Sequence, residues 1–177
     1  LTMDLDTIGQ MSCNPAIGGI AKGHLVREID ALGGAMGLAT DFAGIQFRML
    51  NRRKGPAVWA PRAQCDKRMY QRLMKMACER QPNLELFQAQ ASGLEVHDDE
   101  MRAVLTREGI RFRCRCAILT TGTFLRGLIH VGTRKSEGGR GGEPAAHGLS
   151  EALARLGFEL DRLKTGTPPR LNAKSIA

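Results

Sequence analysis

Apolar residues at Ile20, Leu25, Val26, Ile29 and Leu32 recur at a helical spacing. The period predicts an amphipathic helix over residues 20–32, which Gly33-Gly34 would stop. Residues 45–50 alternate apolar and polar and predict a strand. Residues 52–61 form a basic loop bearing Gly and Pro, and residues 63–81 are rich in helix formers up to Pro82. A block of short strands comes next, at 84–88, 94–97, 102–106 and 110–113, with turns marked by Asp98-Asp99 and Glu108-Gly109. Residues 116–120 read as a buried strand running into Thr121-Gly122-Thr123. Farther on come a glycine-rich loop at 136–142, a short helix at 149–156 and a basic turn with two prolines at 164–170.

Helices, an inserted antiparallel sheet and then a buried strand ending in Thr-Gly define an order. It predicts an α/β chain forming part of a doubly wound, Rossmann-like nucleotide-binding domain. On this reading residues 1–177 are one partial domain with a β-rich excursion at about 84–114. No Gly-x-Gly-x-x-Gly separates a first strand from a first helix. If the fold binds a dinucleotide, its phosphate-binding loop is expected upstream of Leu1.

Composition changes this picture modestly. At 177 residues and 42% hydrophobic, the chain can bury a real core. No apolar run approaches the roughly 18 residues of a membrane-crossing helix, and no signal peptide is visible. The net charge of +8 fits a polyanionic partner such as nucleic acid and equally fits a basic soluble surface. The five cysteines (13, 65, 78, 114 and 116) lack the paired spacing of a zinc site. Cys114 and Cys116, alternate residues in a strand-like run, are expected as packed small side chains. The cysteines are read as reduced and the compartment as cytoplasmic.

Three constellations could carry chemistry. Cys13 lies in Gly9–Ile20 just before the predicted helix, where unpaired N–H groups would stabilise a thiolate; on spacing alone a half-buried cysteine at a tight turn is the commoner case, since lone cysteines are usually inert. The run 51–62 sets Arg52, Arg53, Lys54 and Arg62 around Trp59. Those cations could hold phosphates while the indole stacks a base, or Trp59 could be a core anchor beneath a solvated loop. The third is the 117–123 strand end, where small residues let backbone approach a cofactor. The four histidines show no metal spacing and read as structural.

Taken together these segments resemble one family. Ser12-Cys13-Asn14-Pro15-Ala16-Ile17-Gly18-Gly19-Ile20 and the residues through Val26 look like the hallmark of the MnmG/GidA family of tRNA-modifying flavoenzymes. Glu28–Gly34, Gly44–Phe47, Lys54–Val58, Arg62–Gln64, Thr121–Leu125, Ser136–Arg140 and Leu163–Arg170 continue the likeness in order along the whole chain. The resemblance implies an FAD enzyme of the glutathione-reductase type acting on the wobble uridine of certain tRNAs. It implies addition of an aminomethyl or carboxymethylaminomethyl group at carbon five, with NADH as reductant and methylenetetrahydrofolate as carbon donor. It further implies a GTPase partner, MnmE, in a heterotetramer, and a homodimer at full length.

By position, the resemblance makes Cys13 the candidate reactive thiol, attacking the uridine or relaying redox equivalents. It places Ser12, Asn14, Ala16, Ile17, Gly18, Gly19, Ala91, Thr121, Gly122 and Ala146 against FAD, and Lys54, Arg62, Lys164 and Arg170 against tRNA or phosphate. There are departures. Ala21 replaces a usual Gly, expected to cost little inside a helix, and Trp59 and Pro61 stand where many members carry Arg and Thr. The family's Gly-rich opening and helical partner-binding domain have no counterpart in these residues, so the isolated piece is expected to be inactive. Rival readings are a folate- and FAD-dependent tRNA uridine methyltransferase, a non-catalytic FAD-fold or tRNA-binding module, and a flavin oxidoreductase acting on small molecules.

Overall fold

The computed structural model describes residues 1–166 and 171–176. The chain divides into two compact units, one of Leu5–Leu86 with Lys164–Ala177, the other of Leu1–Asp4 with Phe87–Leu163. Both are built from helices and antiparallel strands, so the chain is mixed α/β.

In the first unit a three-stranded antiparallel sheet runs in the order β1 (Ala16–Gly18), β3 (Ala60–Cys65), β2 (Gly44–Leu50). Helices α1 (Lys22–Ala31) and α2 (Ala35–Ala43) lie between β1 and β2 in sequence, and α3 (Lys67–Arg80) comes after β3. The core gathers Met11, Ile17, Ala39, Ala43, Ala63, Cys65 and Tyr70, with Val26, Met36, Leu73 and Met74 packed against it. Each large member contributes on the order of 1.5–3 kcal/mol by leaving water. The small residues along β3 (Ala60, Ala63, Cys65) are the buried ones, which lets the strand fit between its neighbours. Helix α3 starts where it does because the Asp66 carboxylate accepts the backbone N–H groups of Arg68 and Met69, each at 2.9 Å.

Several elements differ from the sequence reading. Residues 60–65 form the central strand rather than loop and helix start, and neither α2 nor β1 is signalled by local pattern. Ala21 lies outside the helix, at its N-cap with φ 66°. A residue with a Cβ is strained there, so the expectation of a cheap substitution is corrected. Cys13 is likewise not at a helix start, because β1 and the Gly18-Gly19 turn intervene before α1. The dipole argument for its thiolate therefore lapses.

In the second unit β4 (Ala91–His97), β5 (Glu100–Thr106) and β6 (Arg111–Arg113) form an antiparallel meander, matching three of the four expected short strands. Asp98 and Asp99, at φ 51° and 57°, make the two-residue turn. Residues 84–88 give only an isolated bridge from Gln88 to Thr2. Phe87 and Phe112 meet edge to face with centroids 5.1 Å apart. A hairpin of β7 (Leu128–Val131) and β8 (Arg134–Glu137) occupies the start of the expected glycine loop, and α4 (Leu149–Arg155) packs against β4.

The expected buried strand at 116–120 is corrected. The ladder ends where the Cys114 N–H bonds the Arg102 carbonyl. No strand among the described residues pairs with residues 116–120, and Ile118 is 87% exposed. Cys116 is exposed too, rather than packed.

Candidate functional site

In the first unit the loop 12–19 is held by its backbone. Ala16, Ile17 and Gly18 pair with Gln64, Ala63 and Arg62 of β3. The Cys65 N–H bonds the Pro15 carbonyl at 2.7 Å, and the Gly19 N–H bonds the Pro61 carbonyl at 2.9 Å. Glycine at 18 is forced, because at φ 129° an added Cβ would sit 2.1 Å from the Pro61 oxygen and 2.5 Å from the Arg62 Cα. Ala16 and Ile17 are buried, Asn14 is exposed, and Ser12, Cys13, Gly18 and Gly19 are half-buried.

The Cys13 thiol donates to the Gly166 carbonyl at 2.8 Å. That bond ties the loop to the segment carrying Lys164, which is exposed. Arg170 lies outside the described residues. Burial pushes the Cys65 thiol up and keeps it protonated. All five cysteines are thiols, with no disulfide.

Beside this loop lies a cleft of about 430 Å³. Its walls come from β1 and β3 (Ile17, Gly18, Pro61, Arg62), from α1 and α2 (Gly23, Arg27, Asp30, Gly37) and from β2 (Phe47, Arg48, Met49). Gly23 and Gly37 let its walls approach closely, since a Cβ there would meet the Pro61 oxygen at 2.8 Å or the Asp30 carboxylate at 2.4 Å. Arg48 and Arg62 are direct cross-strand partners; Arg62 also donates to Gln64 Oε1 at 2.9 Å. Two like charges at opposed positions oppose pairing, and an anion between them removes that cost. Arg27, Asp30 and Arg48 escaped the sequence reading. The signal that would have found Arg48 is its register with Arg62, legible only once residues 60–65 are recognised as a strand.

Lys54 is exposed at the tip of the β2–β3 hairpin, beside Arg52 and Arg53. No described acid forms an ion pair with any of the three.

In the second unit the Thr121-Gly122 turn and Ala146 come together. Gly122 takes φ 59°. Two residues on, the Phe124 carbonyl accepts the Ala146 N–H at 2.8 Å, and the Ala146 carbonyl accepts from Arg126 at 2.9 Å. Ala91 opens β4, and Gly148 packs so closely on the next residue that a Cβ would lie 2.6 Å from the Ser92 oxygen. The segment 136–140 wraps Phe124. Thr123 Oγ1 donates to the Gly139 carbonyl at 2.8 Å, and the Arg140 guanidinium stands 4.7 Å from the Phe124 centroid. Ala91, Thr121, Gly122 and Ala146 thus share one unit, while Ser12–Gly19, Lys54, Arg62 and Lys164 share the other. Among the described residues no group of His, Cys, Asp and Glu could hold a metal, and no helix is long and apolar enough to cross a membrane.

Close glycine turns, small residues facing one another and a cation-rich hairpin are the features of this mixed α/β protein. The family model described as "Glucose inhibited division protein A" matches residues 1–177, and the chain belongs to that GidA family. It is 57% identical over 176 residues to the "tRNA uridine 5-carboxymethylaminomethyl modification enzyme MnmG" of Protochlamydia amoebophila, covering 99% of this chain and 28% of that protein. Aquifex aeolicus GidA superposes with a TM-score of 0.87 at 53% identity, over 94% of this chain and 28% of that one. The GidA-related protein of Thermus thermophilus gives a TM-score of 0.50 at 27% identity, over 67% of this chain and 52% of that one. The chain therefore spans about 28% of the length of MnmG and GidA relatives.

Proposed function

We propose that this chain is part of an FAD-dependent enzyme that modifies the wobble uridine of tRNA at carbon five. The observation that carries the reading is the 57% identity to an MnmG over 99% of the chain, which includes the Cys13 loop. The group added is aminomethyl or carboxymethylaminomethyl, with MnmE as GTPase partner, in the cytoplasm. Bound FAD would supply two-electron redox chemistry, with NADH as the source of reducing equivalents and methylenetetrahydrofolate as the carbon donor.

The chain's own residues have three tasks. Backbone at Ser12, Asn14, Ala16, Ile17, Gly18 and Gly19, and at Ala91, Thr121, Gly122 and Ala146, would line the flavin. Gly19 and Gly122 suit this, because a Cβ added at either would meet no protein atom within 4 Å, and a flat ring needs walls without side chains. Cys13, half-buried on its loop, is the candidate thiol at the reacting centre. Lys54, Arg62, Lys164 and Arg170 would hold RNA phosphates.

The intact protein is expected to purify yellow, with FAD recovered by acid extraction. A flavin-free intact preparation that cannot be reconstituted with FAD overturns the flavoenzyme reading. Detection of 5-methyluridine as the product would replace it with the methyltransferase alternative.

A further inference from the structure

The tip of the β2–β3 hairpin carries a feature that the family resemblance does not supply. From Gly44 to Gln64 the chain holds Arg48, Arg52, Arg53, Lys54 and Arg62 and no acidic residue. At the tip, Arg52, Arg53 and Lys54 are all exposed.

Trp59 closes this loop, and its polar atom is already committed. Its indole N–H donates to the Arg52 carbonyl at 3.2 Å. The loop is cross-tied by Asn51 Nδ2 to the Val58 carbonyl at 3.2 Å and by the Lys54 N–H to the Asn51 carbonyl at 2.8 Å. The Trp59 backbone N–H reaches the Pro56 carbonyl at 3.1 Å. The ring is thus oriented by its edge while 44% of the residue remains exposed, which excludes the core-anchor reading. Among the described residues neither a cation nor another ring stacks on it.

A fixed, partly exposed aromatic ring on a loop that also carries three exposed cations suits one class of ligand. A protein partner covering the ring would have to desolvate the neighbouring cations and supply carboxylates for them. A single-stranded nucleic acid brings phosphates and a stackable base together. Duplex RNA does not fit, because its bases are already stacked on one another.

We propose that Trp59 is a base-stacking platform for single-stranded RNA, with Arg52, Arg53 and Lys54 holding the flanking phosphates. This rests on the RNA reading above and adds to it an interaction by stacking.

The test uses the intact protein and a fluorescein-labelled single-stranded RNA heptamer, followed by anisotropy over a salt series. Inorganic polyphosphate serves as a competitor that has charge and no bases. Trp59→Ala is expected to weaken RNA binding roughly five- to a hundredfold, as removal of one stacked base does, with the salt slope unchanged. Trp59→Phe should restore most of the affinity, because a ring remains. Arg52→Ala with Arg53→Ala should flatten the salt slope by about 0.7 for each phosphate no longer neutralised. Polyphosphate binding should be indifferent to Trp59→Ala. RNA should quench the emission difference between the wild type and Trp59→Phe.

If Trp59→Ala binds RNA as the wild type does while the arginine pair matters, the interaction is charge alone; the stacking proposal falls and the RNA reading stands. An equal loss toward polyphosphate also overturns the proposal, since the ring would then only prop the loop. A wild type that binds no RNA at all overturns both.

Discussion

Replacing Gly18 with alanine tests whether the Cys13 loop is built by close approach of two backbones. The added Cβ would lie 2.1 Å from the Pro61 oxygen and 2.5 Å from the Arg62 Cα. Non-bonded carbons settle at about 3.5–4.0 Å, so β3 must retreat by about an ångström. That retreat strains the bond from the Gly19 N–H to the Pro61 carbonyl, now 2.9 Å. Backbone at φ 129° adds strain of about 1–3 kcal/mol for a residue with a Cβ, and the overpacking adds about 1–3 kcal/mol. Together these give an expected destabilisation of about 2–6 kcal/mol. Gly19 is the internal control, since it too has positive φ, 90°, and nothing within 4 Å of an added Cβ. Its replacement by alanine should cost the strain alone. Urea denaturation of both variants gives the comparison, and the melting temperature should fall by about 2–4 °C per kcal/mol for a chain of this size. If Gly18→Ala is no worse than Gly19→Ala, the close approach of β1 and β3 is wrong, and with it the shape of the loop that carries Cys13.

Three further outcomes rest on local geometry. Ala21→Gly relieves the left-handed backbone before α1 (φ 66°) and should stabilise the protein by up to about 1 kcal/mol, after allowing for the freer unfolded chain; a lower melting temperature contradicts it. Asp66→Ala removes the carboxylate that caps α3 and should cost about 1 kcal/mol, whereas Asp66→Asn should retain most of it. The Arg111 guanidinium, bonded to both Glu95 oxygens at 2.6 Å, holds the Glu95 carboxyl below the usual range. A depressed folded pKa stabilises the fold above the unfolded carboxylate range, and that contribution goes as pH falls through the folded value. Carboxyl NMR titration should therefore show the Glu95 midpoint rising toward the ordinary value in Arg111→Ala, and an unchanged midpoint refutes the pairing.

Much of the architecture is legible in the sequence where local chemistry decides it. The period of Val26 and Ile29, the alternation of residues 45–50 and the Asp98-Asp99 turn each specify an element, because periodicity and turn preference act within a few residues. The failures lie where long-range pairing decides. Residues 60–65 carry a proline and small side chains, which signal loop in isolation, and they become a strand through partners at 16–18 and 44–50. Residues 35–43 hide a helix because Gly37 and Thr40 lower its propensity, although Ala39, Thr40 and Ala43 bury one face. Residues 116–120 show the reverse, an apolar run that reads as a strand and finds no ladder among the described residues. Of the candidate site, the motif residues are legible as motifs. The pairing of Arg48 with Arg62 and the tether of Cys13 to Gly166 are not, since both depend on positions distant in sequence.

The central claim is that Cys13 serves tRNA modification in a flavoenzyme, and the direct measurement is mass spectrometry of wobble nucleosides. It should be made on tRNA from cells whose only copy carries Cys13→Ser, with the flavin content of the purified variant measured alongside. The account predicts loss of the carbon-five modification with FAD still bound. Normal levels of the modified nucleoside in that strain would contradict it.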